Sequence, residues 1–411
     1  MARIVILMLK NREHIKSLSI GEQKHHQLQM QILGLLYQGI AMTASALSKR
    51  LNLSVPTIRT LLDELIALNI VFQDGDMRRV GRKPFFYSLK RDAFYVFSIE
   101  VGHSNSRCAI IDSHNQVVGN QKCLSVVMDD DNFYLELYRA FQSMTDDLGL
   151  EVNRFEAVGI SMPGLIDSER GINHSILTES GRDVRGNFQK YFQLPVFVEN
   201  DARMNTLGEL EFGAGRGKQN VLVINWNKGI GLGMVADGHL VKGNDGFAGE
   251  LSHIRIVPDG ELCRCGKCGC LQTIASTTFL LNLAYKAISE NRVSCLTSQF
   301  SDCAEKLEVT DIIDAAQKGD ELALSLLCQI SENLAWGLSI LIQLNNPELI
   351  VINGPLAKAG ELVRMPLLLS LNQYCLRDIS SQIRLVISSR EDGHGLSGVA
   401  VMVFNKLFGI N

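Results

Sequence analysis

The octapeptide CRCGKCGC, residues 263–270, places four cysteines within eight positions of the chain. The other six cysteines are scattered singly, at Cys108, Cys123, Cys295, Cys303, Cys328 and Cys375. Disulfide-stabilised proteins are usually small and spread their cysteines, whereas a cluster in an intracellular chain indicates metal binding. His253 lies ten residues before Cys263 and is a further candidate ligand. A redox-active thiol patch and an iron–sulfur cluster remain alternatives to a simple metal site.

Length and composition indicate a globular protein of two or three domains. The chain has 411 residues, of which 46% are hydrophobic, so it can form real cores and does not resemble a disordered protein. The apolar run RIVILML near the N-terminus is too short for a secretion signal. No stretch reaches the roughly 18 apolar residues of a membrane helix. We therefore expect a cytoplasmic protein without membrane insertion.

Charge is distributed unevenly along the chain. The formal net charge is −4, but residues 1–90 contain 13 Lys and Arg against 6 Asp and Glu. A basic N-terminal region followed by an acidic remainder of the chain predicts that only the N-terminal region binds a polyanion.

Residues 27–69 carry the pattern of a helix-turn-helix. Thr43 can cap a short helix, and Ser54 can cap a second one with Pro56 in its first turn, where a missing N–H is tolerated. The start of that second helix is the part that enters the DNA major groove in such motifs. The residues predicted to contact DNA there are Ser54, Pro56, Thr57, Arg59 and Thr60.

A predicted hairpin follows, with two strands around a turn at residues 74–76. Its tip carries four basic residues, Arg78, Arg79, Arg82 and Lys83. A basic hairpin after a helix-turn-helix is typical of a winged helix, whose tip lies over phosphates or reaches a minor groove. The alternative is a small protein-interaction domain with a solvated charge run.

After residue 89 the sequence becomes a mixed α/β pattern of short strands and helices. Six motifs follow in order: ISMPG (160–164), VENDARMNTLGE (198–209), NKGIGLG (227–233), GFAGELSH (246–253), CRCGKCGCLQTIAS (263–276) and LIVINGPLAKAG (349–360). Together, from about residue 95 onward, they resemble the ROK family of repressors, open reading frames and sugar kinases. With the basic region ahead of them, they are most similar to its repressor branch, which includes xylose-, N-acetylglucosamine- and glucose-responsive repressors.

The resemblance implies an actin-like, ribonuclease H-like α/β fold of two lobes with a sugar cleft between them, preceded by an α+β winged helix-turn-helix domain. The expected domains are 1–90 for DNA binding, 91–200 with 388–411 for the first lobe, and 201–387 for the second. The second lobe would carry the zinc site and an oligomerisation surface. A C-terminal helix over 396–408 would return to the first lobe.

By the same resemblance, six residues are expected to contact a sugar: Gly164, Asn200, Asp201, Glu250, His253 and Gln272. Sugar hydroxyls need acceptors and donors in fixed places, which these side chains can supply. Gln272 stands where the family usually has a glutamate, so the preferred sugar is expected to differ. Taken singly, any of these residues could instead serve a surface or capping role.

The resemblance also assigns the metal ligands to His253, Cys263, Cys265 and Cys270, the family's zinc set. Three thiolates and one imidazole fill a tetrahedral shell, so the zinc is expected to be structural. Cys268 departs from the family pattern, either as a substitute ligand or as a spare thiol.

Three nucleotide motifs of the family's kinases are altered in this chain. The first phosphate loop is IEVGHSNSR (99–107), without the usual threonine, and the second is NKGIGLG, with Asn227 and Lys228 in place of Gly and Thr. The adenosine-side loop is INGPLAKAG (352–360). Asp201, at the position of the kinase general base, is retained and can simply accept a sugar hydroxyl. We therefore expect no catalytic residue and no kinase activity.

The sequence thus predicts a sugar-responsive transcriptional regulator, a repressor of carbohydrate uptake or catabolism genes. It would leave its double-stranded DNA operator, and with it the nucleoid, when a sugar or sugar phosphate binds. A homodimer or homotetramer is expected, because palindromic half-sites need paired DNA-binding domains. One alternative is an active ATP-dependent sugar kinase that carries a DNA-binding domain. Another is a regulator whose inducer is a protein partner, such as a sugar-transport component.

Overall fold

The computed structural model describes residues 19–38, 41–74, 85–102, 104–128, 132–176, 179–301, 303–388 and 394–410. The chain divides into two compact units, Met1–Asn200 with Val399–Asn411, and Asp201–Gly398. The N-terminal region groups with the first unit, and the second unit extends to Gly398, beyond the expected end at 387.

The N-terminal region, hereafter the head, is an α+β arrangement. Its elements are α1 (Ile20–Tyr37), β1 (Met42–Thr43), α2 (Ala44–Leu51), α3 (Val55–Ala67), β2 (Val71–Asp74) and β3 (Phe86–Leu89). The three strands form one antiparallel sheet in the order β1-β3-β2. Both predicted caps are present: the Thr43 side chain accepts from Ala46 N, and Ser54 Oγ accepts from Thr57 N at 3.2 Å. Asn52, in the left-handed conformation, ends α2 and begins the turn to α3.

The rest of the first unit is built on a five-stranded sheet. Its elements are β4 (Tyr95–Val101), β5 (Ser106–Asp112), β6 (Val117–Leu124), α4 (Phe133–Leu148), β7 (Phe155–Met162), β8 (Ile166–Asp167), β9 (Ile172–Asn173), α5 (Glu179–Arg182), α6 (Val184–Gln189) and β10 (Val196–Asn200). The sheet order is β10-β7-β4-β5-β6, with β10, β7 and β4 parallel and β5 and β6 antiparallel. Buried Phe97, Phe141 and Phe155 lie in its core.

The second unit repeats this plan. Its elements are α7 (Asp201–Phe212), β11 (Val221–Trp226), β12 (Ile230–Ala236), β13 (His239–Leu240), α8 (Gln272–Ala275), α9 (Thr277–Ser289), α10 (Cys295–Phe300), α11 (Val309–Gln317), α12 (Glu321–Asn345), β14 (Leu349–Asn353), α13 (Glu361–Tyr374), α14 (Arg377–Ser380) and β15 (Arg384–Ile387). Its five-stranded sheet has the order β13-β12-β11-β14-β15, with β11, β14 and β15 parallel.

The two large sheets therefore share one topology. In each, a three-stranded antiparallel meander is extended by two parallel strands added on the side of its first strand. This duplication confirms the expected actin-like α/β fold, and the head in front of it confirms the α+β domain.

Helix α12 is, among the described residues, the one helix long and apolar enough to cross a membrane by length and composition. Within the structure, 61% of its apolar window is buried, and Leu327, Leu334 and Leu338 lie in the core of the second unit.

The last helix, α15 (Gly395–Phe408), occupies the position expected for the C-terminal helix. From Val399 onward it belongs to the first unit, where Val399 and Val403 pack on strand β7. A Cβ on Gly159 would lie only 2.4 Å from Val399 Cγ1, so this close approach requires glycine.

Candidate metal centre and ligand-binding residues

The cysteine-rich segment forms a tight loop whose end pairs with the backbone of Arg255. Isolated bridges join Arg255 to Cys270 and Leu262 to Cys268, and Cys263 N donates to Lys267 O at 2.8 Å. Gly269 has a φ of 76°, and a Cβ there would lie 1.6 Å from Val257 O. The glycine is therefore required for the loop to fold back on itself.

This loop brings the four predicted ligands together. The donor atoms of His253, Cys263, Cys265 and Cys270 all lie within 4.8 Å of one another. Cys263 Sγ is 3.6 Å from His253 Nδ1, and Cys265 Sγ is 3.6 Å from Cys270 Sγ. A tetrahedral zinc with ordinary bond lengths separates its sulfur and nitrogen ligands by about 3.6 Å and two sulfurs by about 3.8 Å. The donor set and its spacing therefore fit zinc.

Cys268 lies outside the cluster of candidate ligands, although it belongs to the same octapeptide. It is exposed, and its backbone pairs with Leu262. The structure therefore favours the spare thiol over the substitute ligand.

The surroundings of His253 favour the imidazole form that a metal needs. Burial lowers the pKa of His253, and the positive charges of Arg264 and Lys267 lower it further. The neutral ring can then bind a metal through Nδ1. Its other nitrogen, Nε2, lies 4.0 Å from Glu250 Oε2, so the metal and a carboxylate face opposite sides of one ring.

Asp201 and Glu250 form an acidic pair within the second unit. Burial raises the pKa of Glu250; the nearby charge of Arg203 lowers it and that of Asp201 raises it. Arg203 is only 3% exposed, and its guanidinium donates to the carbonyl of Gly246. Sequence reasoning did not identify Arg203, although an arginine on the otherwise buried face of α7 is a recognisable signal.

Gln272, the first residue of α8, contacts one of the candidate metal ligands. Its Nε2 donates to Cys263 Sγ at 3.0 Å. Its Oε1 is buried and has no hydrogen-bond partner among the described residues. The second unit thus brings together four predicted sugar residues, Asp201, Glu250, His253 and Gln272.

The other two predicted sugar residues meet in the first unit. Asn200, at the end of β10, donates from Nδ2 to Gly164 O at 3.1 Å. Gly164 has a φ of 115°, and a Cβ there would lie 2.7 Å from Asn173 Oδ1. Glycine is therefore needed in this turn, because other residues rarely adopt this φ and because a side chain would collide with Asn173.

The altered nucleotide motifs have structural roles. In the first, Glu100 pairs with Arg107 on the neighbouring strand, with Arg107 Nη2 and Glu100 Oε2 2.5 Å apart. His103 of that motif lies outside the described residues. In the second, a Cβ on Gly233 would lie 1.7 Å from Thr206 Oγ1, so this glycine lets β12 approach α7.

The predicted DNA contacts of the head lie at the beginning of α3. Ser54, Pro56, Thr57, Arg59 and Thr60 are all exposed. Ser54 and Thr60 also form local hydrogen bonds, the latter with Pro56 O at 3.2 Å. The predicted hairpin tip, with Arg78, Arg79, Arg82 and Lys83, lies outside the described residues.

A duplicated five-stranded fold behind an α+β head, with a cysteine–histidine cluster in its second unit, defines a class of two-lobed sugar-kinase-like proteins. Residues 96–406 match the ROK family, and the chain belongs to that family.

Known relatives fall into two groups. The chain is 34% identical over 244 residues to a glucokinase of Halalkalibacterium halodurans, covering 59% of this chain and 74% of the relative. It is 26% identical over 372 residues to the DNA-binding transcriptional repressor Mlc of Escherichia coli, covering 88% of this chain and 89% of Mlc. A crystal structure of a ROK family transcriptional regulator, a homologue of Mlc, has a TM-score of 0.79 at 25% identity. That alignment covers 93% of this chain and 97% of the regulator.

Proposed function

We propose that this chain is a DNA-binding transcriptional regulator that represses genes of carbohydrate uptake or catabolism until a sugar binds. The proposal rests on two features that occur in one chain. The head has an exposed N-terminus of α3, and the second unit has a cluster of side chains of the types that bind sugar hydroxyls. The similarity to Mlc supports it, because that alignment extends over most of both chains.

The proposed regulator does not phosphorylate its sugar. Glu100, in the first phosphate motif, is held in an ion pair with Arg107. A carboxylate held by a guanidinium is poorly suited to bind the magnesium of a nucleotide. The loop at Lys228 lacks the hydroxyl that would donate to a phosphate.

A structural zinc held by His253, Cys263, Cys265 and Cys270 forms part of the proposal. When bound, it cross-links the loop that carries Glu250, His253 and Gln272 and supplies no reaction chemistry. We further propose a cytoplasmic homodimer or homotetramer that binds a double-stranded DNA operator. Its inducer is a free sugar or sugar phosphate, and a sugar-transport protein is a second candidate partner.

Selection of genomic fragments by the purified protein, repeated with a panel of sugars and sugar phosphates, tests this function. We expect a palindromic sequence to be enriched and one sugar to abolish the enrichment. Arg59→Ala should weaken binding about tenfold or more, since a base-contacting arginine contributes about 1–3 kcal/mol. Arg384→Ala, which removes an exposed arginine of β15, serves as the control. Absence of any enriched sequence would refute DNA binding.

An active sugar kinase is the second candidate, because Asp201 is retained and a glucokinase is 34% identical over 244 residues. An ATP-coupled assay on hexoses and amino sugars separates the two functions. Measurable turnover that is abolished by Asp201→Asn would replace our proposal by this one.

A further inference from the structure

Helix α3 can be oriented from its contacts with the rest of the head. One stripe of the helix is buried in the head and consists of Ile58, Leu61, Leu62 and Leu65. Glu64 lies on the flank that faces α1, because its Oε2 is 2.7 Å from His25 Nε2 and 2.8 Å from Gln29 Nε2. The carboxylate of Glu64 therefore serves the packing of two helices and is not directed toward DNA.

Tyr87 of β3 marks the opposite flank of α3. This tyrosine is only 6% exposed, and burial raises the pKa of its phenol. The charge of Asp63 raises this pKa further, and the charge of Arg59 lowers it. Asp63 and Arg59 therefore lie on the flank of α3 that faces β3, the middle strand of the head's sheet.

Four exposed residues form the outward face of α3 between these flanks. Pro56, Arg59, Thr60 and Asp63 follow one another at intervals of three, one and three positions, which places them on one face of a helix. The base-contacting residues of a homeodomain's third helix have the same spacing. Asp63 thus belongs to the face that would enter the major groove.

Two of these four side chains offer little hydrogen bonding to a base. Pro56 has only a hydrocarbon ring. Thr60 Oγ1 donates to Pro56 O at 3.2 Å, so its hydroxyl proton is used within the helix and its methyl group is left for contact with thymine. Selection by hydrogen bonds on this face therefore falls to Arg59 and Asp63.

Asp63 is an unusual residue for a surface that approaches DNA. No salt bridge or hydrogen bond to a described residue holds its carboxylate. A carboxylate cannot bind a phosphate, because the two charges repel each other and neither group has a proton to donate. Its remaining partners in the major groove are the amino groups of cytosine and adenine, and adenine also presents the acceptor N7 beside its amino group. Cytosine is therefore the better partner.

We propose that Asp63 is a specificity-determining residue that accepts a hydrogen bond from cytosine N4 and selects a C·G pair in each operator half-site. Arg59 donates to a guanine, the base that suits an arginine fork. Residues four positions apart lie about 6 Å apart along a helix, and stacked bases lie about 3.4 Å apart, so the two bases are within about two base pairs of each other. This inference rests on the proposed DNA-binding function and names the base pairs that it recognises.

Selection from a pool of randomised duplexes, performed with the wild type and with Asp63→Asn, tests the proposal. The wild-type motif should contain a C·G pair that is preferred about tenfold over A·T at that position. Asparagine pairs with adenine N6 and N7, so Asp63→Asn should lose this preference or reverse it toward A·T, with the rest of the motif unchanged. Asp63→Glu, which keeps the carboxylate, should still prefer cytosine.

The preference between bases is the decisive quantity, because removing a negative charge also strengthens binding to every DNA sequence. Asp146→Asn removes the same charge from an exposed position on α4, outside the head, and should keep the wild-type preference. A uniform gain in affinity for Asp63→Asn with an unchanged base preference would overturn the proposal, as would a wild-type motif without the C·G pair. If the wild type enriches no sequence, DNA binding itself is refuted.

A modified operator provides a readout on the unaltered protein. N4-methylcytosine keeps its pairing with guanine but places a methyl group where the major-groove N4–H stands. Replacing the selected cytosine with it should weaken wild-type binding about tenfold and leave Asp63→Asn nearly unaffected. Equal binding of the two operators by the wild type would contradict a hydrogen bond from cytosine N4 to Asp63.

Discussion

The sulfur atom of Cys263 has two neighbours with different roles. His253 Nδ1, 3.6 Å away, would share a metal with it, whereas Gln272 Nε2, 3.0 Å away, donates a hydrogen bond to it. One sulfur atom thus positions an imidazole and an amide, and both side chains belong to the predicted sugar set. Metal occupancy and sugar recognition are therefore expected to depend on each other.

Cys265→Ser and Cys268→Ser form a matched pair, because both cysteines are exposed and belong to the same octapeptide. We expect Cys265→Ser to lose most of its zinc, since a serine hydroxyl is a much poorer ligand than a thiolate. Cys268→Ser should retain about one zinc per chain. Zinc content after dialysis measures this. Loss of zinc in the Cys268 variant, with retention in the Cys265 variant, would contradict the ligand assignment.

At the scale of elements, features that depend on residues close together in sequence were predictable, whereas contacts between residues far apart in sequence were not. Thr43 and Ser54 were recognised as caps because a capping side chain bonds to a backbone N–H only a few residues away. The packing of Gly233 on Thr206 and the Glu100–Arg107 pair depend on how strands meet neighbouring elements, which periodicity does not reveal. The six predicted sugar residues came from family resemblance, and Arg203, although it lies within the motif VENDARMNTLGE, was assigned no role there.

Helix α3 depends on Ser54 for its first turn. Ser54 Oγ accepts from Thr57 N and lies 2.7 Å from Thr57 Oγ1. Ser54→Ala should lower the free energy of unfolding of the head by about 1 kcal/mol, whereas Ser54→Asn, which keeps a capping acceptor, should have little effect. Chemical denaturation followed by circular dichroism measures both. Equal stability of the two variants would indicate that the cap contributes nothing.

The whole molecule consists of two units with the same sheet topology but different additions. The first unit contains the head, and the second contains the cluster of four candidate metal ligands and the long helix α12. Fold class was predictable because six motifs occur in a fixed order. The end of the second unit at Gly398 was not predictable, because α15 is one continuous helix. The point at which this helix passes from one unit to the other depends on packing and not on a helix-breaking residue.

Removal of the metal should therefore affect the two units unequally. All four candidate ligands lie in Asp201–Gly398, so a chelator should lower the melting temperature of that unit and leave the core around Phe97 and Phe141 unchanged. Structural zinc contributes directly to folding free energy, so we expect the second unit to lose several kcal/mol. Hydrogen exchange with and without chelator measures this, with protection falling in β11, β12 and α8 and persisting in β4 and β7. Zinc added back should restore the original protection. An equal loss in both units would show that the cluster stabilises the molecule as a whole and would contradict its assignment as a local cross-link of the ligand-binding loop.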